Sequence, residues 1–514
     1  MVFLIAVLIA TLFVAWGALM PETMTAATQS MLGFTISHFG WFYLLTVFGF
    51  LLFAIYLAFG RFGSIRLGGE DAEPQFSRLS WFSMLFAAGM GIGLVFWGAA
   101  EPLAHYATPP VGEALTPDAA RNALRFTFFH WGLHPWAIYS VMGLAIAYFS
   151  FNRNLPVLIS EAFRPLFGQR VTGGLGRAID VLAVLATACG VVTSLGLGTL
   201  QIAGGLRNLF GLPDSDLLHV VIILVALGAA LLSSLTGVER GIKWLSNANV
   251  ALALLLLAFV VACGPTLFIV ESLTTTVGSY LHNLVGMSLR LTPFSQGTWV
   301  ADWTLFYWAW WITWAPFVGI FIARVSKGRT IREFVMGVLL APTVVSFIWF
   351  AAFGGTALHQ QMFGGVDLLA VQANDYSETL FALFRQLPLH HIASGLALVL
   401  IACFFVTSAD SATFVLGMLS ARGNHNPPAR TKLIWGAVMA AMAIVLLFTG
   451  GLKALQTLSI VAALPFAVVM VGLCVALFKA LNEDDRAQQL RERERRHAVD
   501  RLLRQEATSG ETPT

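Results

Sequence analysis

Charge is scarce in this chain. Only 11% of its 514 residues are Asp, Glu, Lys or Arg, while 57% are hydrophobic; a soluble globular domain carries about a quarter charged residues. Cysteine is scarcer still. The four present (Cys189, Cys263, Cys403 and Cys474) lie inside apolar stretches without CxxC spacing, which excludes a disulfide framework or a thiolate zinc site and leaves small buried hydrophobes. There is no HExxH and no GxxxxGK[ST], so neither a zinc hydrolase nor an ATP-driven pump is indicated. His130 and His134, at i and i+4, have a spacing that can bind metal, but no obvious third ligand accompanies them, and buried packing histidines are the alternative. With no nucleophile–base pair or metal constellation beyond that hint, an enzyme is not expected.

What the chain has instead is apolar length. Runs of about 20 residues, each able to cross a hydrocarbon core of about 30 Å, recur along it. They predict an all-α, multi-pass integral membrane protein with spans at 2–20, 42–59, 81–99, 123–149, 179–206, 217–235, 248–273, 303–323, 333–357, 392–419, 433–449 and 454–478. The first lacks a basic n-region and a small-residue cleavage site, and reads as a retained helix. Of the 30 lysines and arginines, 24 fall on the even-numbered connections and the tail. The positive-inside rule therefore puts both termini in the cytoplasm. The net charge of +3 is topological and gives no argument for nucleic acid. Three parts follow: residues 1–80 with two N-terminal spans and a cytoplasmic loop, a core over 81–478, and a charged cytoplasmic tail over 479–514. Residues 100–122 read as an external turn region, and the polar stretch 274–302 as a helix lying on the outer surface.

Two spans contain helix-unfriendly residues. In the third, AAGMGIGL sets Gly89, Gly91 and Gly93 on alternate positions, at a cost of about 1 kcal/mol each in a helix interior. In the eighth, WAPFVG contains Pro316 and Gly319. If spans 3–7 and 8–12 form two halves, these are the first helices of each half, and interrupted helices at matching places point to a transport site near mid-membrane. A small-residue stripe for close packing is the alternative.

Aromatic residues gather in the same neighbourhood. On one continuous helix, FHWGLHPWAIY puts Trp131, Trp136 and Tyr139 within about 140° of one another. Residues 307–316, YWAWWITWAP, put Tyr307, Trp310, Trp311 and Trp314 within an arc of about 100°. Such faces attract cations, by roughly 2 kcal/mol or more when dry, and suit quaternary ammonium best; lipid contact or core packing is the plainer reading of each alone. FFVTSADS brings Thr407, Ser408 and Ser411 into a membrane helix with Asp410. The hydroxyls suit either back-bonding to the preceding turn or a small hard cation.

Together, GMGIGL, EPL, FHWGLHPWAIY, YWAWWITWAPFVGIFIARVSKGRTIREF and FFVTSADS closely resemble the betaine/choline/carnitine transporter family. The resemblance implies twelve transmembrane helices with a five-plus-five inverted repeat (spans 3–7 and 8–12), a homotrimer in the bacterial plasma (inner) membrane, and alternating access. It implies a box of Trp131, Trp136, Tyr139 and Trp311, a pathway lined by Trp310 and Trp314, and backbone near Ala88 and Gly89 facing the substrate carboxylate. It implies sodium at Ala87, Met90, Phe404, Thr407 and Ser408, and a second sodium near Thr187, where a further ligand threonine of the family is replaced by Val191. No cofactor is expected, sodium being the coupling ion.

Choline members that look proton-coupled carry an acid where Gly93 stands, and sodium-independent carnitine exchangers carry an arginine in span 5, absent here from Asp180 to Gly205. Both differences favour sodium-coupled uptake of a zwitterionic quaternary ammonium solute, glycine betaine first, with osmoprotection the expected use. Alternatives are a carnitine/betaine exchanger, a symporter for choline, ectoine or dimethylsulfoniopropionate, and a non-transporting betaine receptor. The tail RERERRHAVDRLLRQEA reads as helical; its arginines suit anionic membrane lipid, while interleaved Glu492 and Glu494 suit a solvated helix.

Overall fold

In hydrocarbon every backbone N–H and C=O must be paired, and a long apolar stretch pairs its own by becoming a helix. The computed structural model is helical accordingly. It describes residues 1–89, 91–236, 239–294 and 297–509, without the side chains of 86–89, 235–236, 239–244, 491 and 501–509. Among the described residues no strand is present; one isolated bridge joins Arg66 and Thr330. In chain order the helices are α1 (Val2–Leu19), α2 (Pro21–Phe59), α3 (Arg78–Gly89), α4 (Ile92–Ala107), α5 (Pro117–Trp131), α6 (Leu133–Ala147), the single turn α7 (Arg164–Phe167), α8 (Gly174–Phe210), α9 (Asp216–Thr236), α10 (Glu239–Cys263), α11 (Thr266–Ser288), α12 (Phe306–Val325), α13 (Ile331–Phe363), α14 (Leu368–Asn374), α15 (Thr379–Phe384), α16 (His390–Ser420) and α17 (Ala429–Ser509).

Among the described residues, nine helical segments are long and apolar enough to cross a membrane. The expected third and fourth spans are each assembled from two shorter helices. The expected eleventh and twelfth lie within α17, on either side of a kink at Gly450 and Gly451. The expected 248–273 span is cut at Gly264–Pro265: α10 ends at Cys263, and its last residues instead begin α11. Proline supplies no N–H to continue the ladder and pushes the preceding residue out of the helical region. The external turn region is also shorter than expected, because α4 continues through Pro102 to Ala107 and carries Glu101 and His105 on a buried helix.

The break expected in span 8 is absent. Helix α12 runs unbroken through Pro316, and Gly319 serves packing instead: a Cβ there would lie 2.4 Å from Met142 Cγ on α6. This is the small-residue stripe that lets two helices approach closely. An unexpected break falls in span 4, at Gly132, whose φ of −94° and ψ of −133° separate α5 from α6. A Cβ on Gly132 would meet Phe128 O at 2.5 Å and Phe347 Cε1 at 3.0 Å, so only glycine fits. The amide freed by the break, Leu133 N–H, donates to Tyr280 Oη at 3.2 Å, so the orphaned donor is paired as burial requires.

Helix ends carry ordinary caps. Thr116 accepts from Ala119 N–H ahead of Pro117, and Thr330 with Glu333 forms a capping box on α13. The tail helix docks against loops at the basic end of the bundle. Arg153 reaches Asp484 at 2.8 Å and Glu483 at 3.2 Å, and Arg61 reaches Asp485 at 3.4 Å.

Candidate functional site

Where α3 gives way to α4, Gly91 is extended (φ −153°, ψ −174°). Met90 lies outside the described residues, as do the side chains of Ala87, Ala88 and Gly89, so the geometry there bears on neither the carboxylate-facing backbone nor that half of the sodium set. The break borders a cavity of about 1030 Å³, at the upper end of the roughly 300–1,000 Å³ of ligand pockets. Its walls include Gly91, Gly93, Trp131, Trp136, Tyr139, Trp310, Trp311, Trp314, Phe404, Thr407 and Ser408. It runs to Arg324 and Lys432, residues of the basic connections, so it opens at that end of the bundle.

The aromatic walls meet as a corner. Trp311 stands edge-on to Trp131 (centroids 4.9 Å, 73°) and to Tyr139 (6.3 Å, 76°), and Trp136 stands edge-on to Tyr139 (5.5 Å, 76°). Trp310 stacks behind Trp311 at 4.7 Å and 15°. The continuous-helix reading of span 4 does not hold, since Trp131 ends α5 while Trp136 and Tyr139 belong to α6, yet all three line the same cavity. Trp308, on the far side of α12, is core: it stacks on His134 at 5.2 Å and 15°.

Hydrogen bonds fix these rings. Trp311 Nε1 donates to His130 O at 3.0 Å, Trp314 Nε1 to Gly190 O at 2.6 Å, and Trp310 Nε1 to Ser194 Oγ at 3.3 Å. Trp131 Nε1 donates to Glu101 Oε2 at 2.7 Å. Gly93 lies directly under the cage, since a Cβ there would sit 2.4 Å from Trp310 Cη2 and 3.1 Å from Trp131 Cη2.

Elsewhere on the cavity wall, Thr407 Oγ1 donates to Cys403 O at 2.9 Å and accepts from Asn249 Nδ2 at 3.1 Å. Asn249 Oδ1 has no hydrogen-bond partner among the described residues, which leaves an amide oxygen beside the Thr407 hydroxyl. Asn249 was not anticipated from the sequence; the polar run SNAN just ahead of the apolar part of α10 was the available signal. Thr187 is buried away from this cavity, donating to Ala183 O at 2.7 Å. Asp410 lines the cavity near its mouth together with Lys432, whose Nζ donates to Ser234 O at 2.8 Å.

The two histidines do not form a pair. His134 Nε2 bonds Ser288 Oγ at 2.8 Å, across the break from His130. His130 instead joins Glu101 and His105, whose ligand-type atoms lie within 4.8 Å of one another. The atoms this trio would turn toward a metal are already joined by hydrogen bonds, with His130 Nδ1 at 2.7 Å and His105 Nε2 at 3.1 Å from Glu101 Oε1. Glu101 escaped the sequence reading because its EPL context was taken as a loop.

Comparison with known proteins places the chain in a family. The profile of the BCCT, betaine/carnitine/choline family transporters matches residues 1–486. The glycine betaine transporter OpuD of Bacillus subtilis (strain 168) is 50% identical over 488 residues, covering 94% of this chain and 95% of the relative. The ectoine/hydroxyectoine transporter of Virgibacillus pantothenticus is 45% identical over 487 residues, covering 94% and 97%. The glycine betaine transporter of Acinetobacter baylyi (strain ATCC 33305 / BD413 / ADP1) is 42% identical over 489 residues, covering 95% and 74%. The chain is a multi-pass membrane protein and a transporter, not an enzyme, and it belongs to the betaine/carnitine/choline transporter family.

Proposed function

We propose that this protein takes up glycine betaine, coupled to sodium, by alternating access across a bacterial plasma membrane, with both termini in the cytoplasm. The observation that carries the reading is the aromatic corner of Trp131, Trp136, Tyr139 and Trp311 inside a cavity open at one end of the bundle. A trimethylammonium head cannot donate hydrogen bonds, so rings gain its charge while losing little to unsatisfied polar groups; each dry contact is worth roughly 2 kcal/mol. The names of two of the relatives above support betaine, and that of the third supports ectoine as second choice.

Sodium is supported by the oxygen atoms of Thr407, Ser408 and Asn249, which line the same cavity as Gly91 at the helix break, since a small hard cation takes oxygen ligands. Phe404, Ala87 and Met90 complete that proposed set through backbone, and Thr187 is the proposed remnant of a second site. Ala88 and Gly89 are proposed to meet the carboxylate. Trp310 and Trp314 line the route, which in this conformation leads to the basic, cytoplasmic end. The five-plus-five repeat over spans 3–7 and 8–12, the three-part division of the chain and the homotrimer belong to the same proposal.

Uptake of radiolabelled glycine betaine into proteoliposomes, with an inward sodium gradient and then with potassium in its place, tests it. Concentrative uptake with sodium alone is expected. Uptake without sodium that needs betaine or carnitine inside makes the protein an exchanger, and betaine binding without net flux makes it a receptor.

A further inference from the structure

Resting on the betaine reading, we infer that Glu101 is a fixed anion behind the aromatic corner, and that it makes the site choose a charged onium head over an uncharged group of the same shape. Its carboxylate is wholly buried, and no lysine or arginine pairs with it among the described residues. Four donors surround it instead. Trp131 Nε1 at 2.7 Å and Tyr307 Oη at 2.5 Å reach Oε2, while His130 Nδ1 at 2.7 Å and His105 Nε2 at 3.1 Å reach Oε1.

The donor assignment follows from the second nitrogens. His130 Nε2 faces the Thr304 hydroxyl at 2.9 Å, which can donate to it and so leave the ring proton on Nδ1. His105 Nδ1 has no hydrogen-bond partner among the described residues, so the proton of that neutral ring belongs on Nε2, where an acceptor waits. Burial opposes charge on this carboxylate, and the four hydrogen bonds, which favour the charged form, are inferred to outweigh it without a counter-ion.

That charge reaches the cavity through two rings. Trp131 lines the cavity while its N–H is bonded to Glu101. A hydrogen bond from the indole N–H to an anion pushes electron density into the ring and deepens the negative face on which a cation sits. Tyr307, stacked on Trp311 at 5.9 Å and 23°, is polarised in the same sense. In a dry pocket the carboxylate also acts directly, since low local dielectric weakens its screening. An onium head feels both effects and a tert-butyl group feels neither.

The test compares two ligands of one shape, glycine betaine and 3,3-dimethylbutanoate, in which carbon replaces nitrogen. Their dissociation constants are measured by calorimetry on the purified full chain and on Glu101→Gln and Glu101→Asp. The expected result is a fall of about tenfold in the betaine preference for Glu101→Gln. Glu101→Asp, which keeps the charge, should hold the preference within about threefold even where both affinities drop. Equal losses for both ligands in Glu101→Gln, or a preference lost alike in Glu101→Asp, would reduce Glu101 to a packing role. A wild-type protein that binds no betaine would overturn the betaine reading rather than this inference. Should Glu101→Gln not fold, betaine-induced infrared difference spectra of the wild type decide, with the band assigned by its shift in Glu101→Asp. A carboxylate band is expected, and a protonated carboxyl band overturns the inference.

Discussion

Gly91 and Gly93 stand two residues apart and should answer a methyl group oppositely. At Gly91 a Cβ would meet nothing within 4 Å, and its extended φ of −153° suits any residue. At Gly93 the same atom would lie 2.4 Å from Trp310 Cη2 and 3.2 Å from Cζ3. Ordinary contact begins near 3.4 Å, so Trp310 must retreat by roughly 1 Å. It has little freedom to do so, since Trp311 stacks on one neighbourhood of its ring at 4.7 Å and Phe306 at 5.6 Å. Overpacking of this kind costs about 1–3 kcal/mol. Passed on to Trp311 and the corner, that is a loss of roughly five- to 150-fold in betaine affinity. The assay is thermal unfolding of the purified variants with and without betaine, alongside calorimetric titration. Gly91→Ala should melt within about 0.5 kcal/mol of wild type, whereas Gly93→Ala should lose stability, affinity or both. A Gly93→Ala protein with wild-type melting and wild-type affinity would refute the close contact beneath the cage.

Further outcomes follow from the same geometry. Trp311→Leu keeps apolar bulk but loses the ring, and should weaken betaine binding by roughly thirtyfold (about 2 kcal/mol) in a folded protein; unchanged affinity there removes Trp311 from the box. Thr407→Ala with Ser408→Ala should raise the sodium concentration needed for half-maximal uptake, and an unchanged sodium dependence would make those hydroxyls purely structural. Arg207 contacts Asp214 at 2.8 Å, Glu378 at 3.2 Å and Asp375, so Arg207→Ala should destabilise by roughly 2 kcal/mol; wild-type chemical denaturation would show the cluster to be idle. Arg153→Ala, by freeing Asp484 and Glu483, should speed tryptic cleavage at Arg486, with the rate compared directly against wild type.

Composition and run length alone determined that the chain is helical and crosses a membrane, because a backbone in hydrocarbon has few ways to pair its amides. The motif residues of the aromatic cavity were equally legible: tryptophan is distinctive, and its clustering at Trp308–Trp314 survives any error in helix phase. Only the tertiary structure decided which of two helix-weakening signals breaks a helix. Pro316 and Gly319 stay helical because α6 packs against α12 there, while Gly132, unremarked in sequence, breaks because Phe347 and Tyr280 press on it from other helices. Trp308 and Trp311 differ by less than one turn, yet one packs on His134 and the other faces the cavity. Glu101, Asn249 and Gly93 acquire their roles largely from residues on other helices, such as Tyr307, Thr407 and Trp310. Local propensity describes a residue's own turn of helix; what a buried side chain does depends on what the other helices place against it.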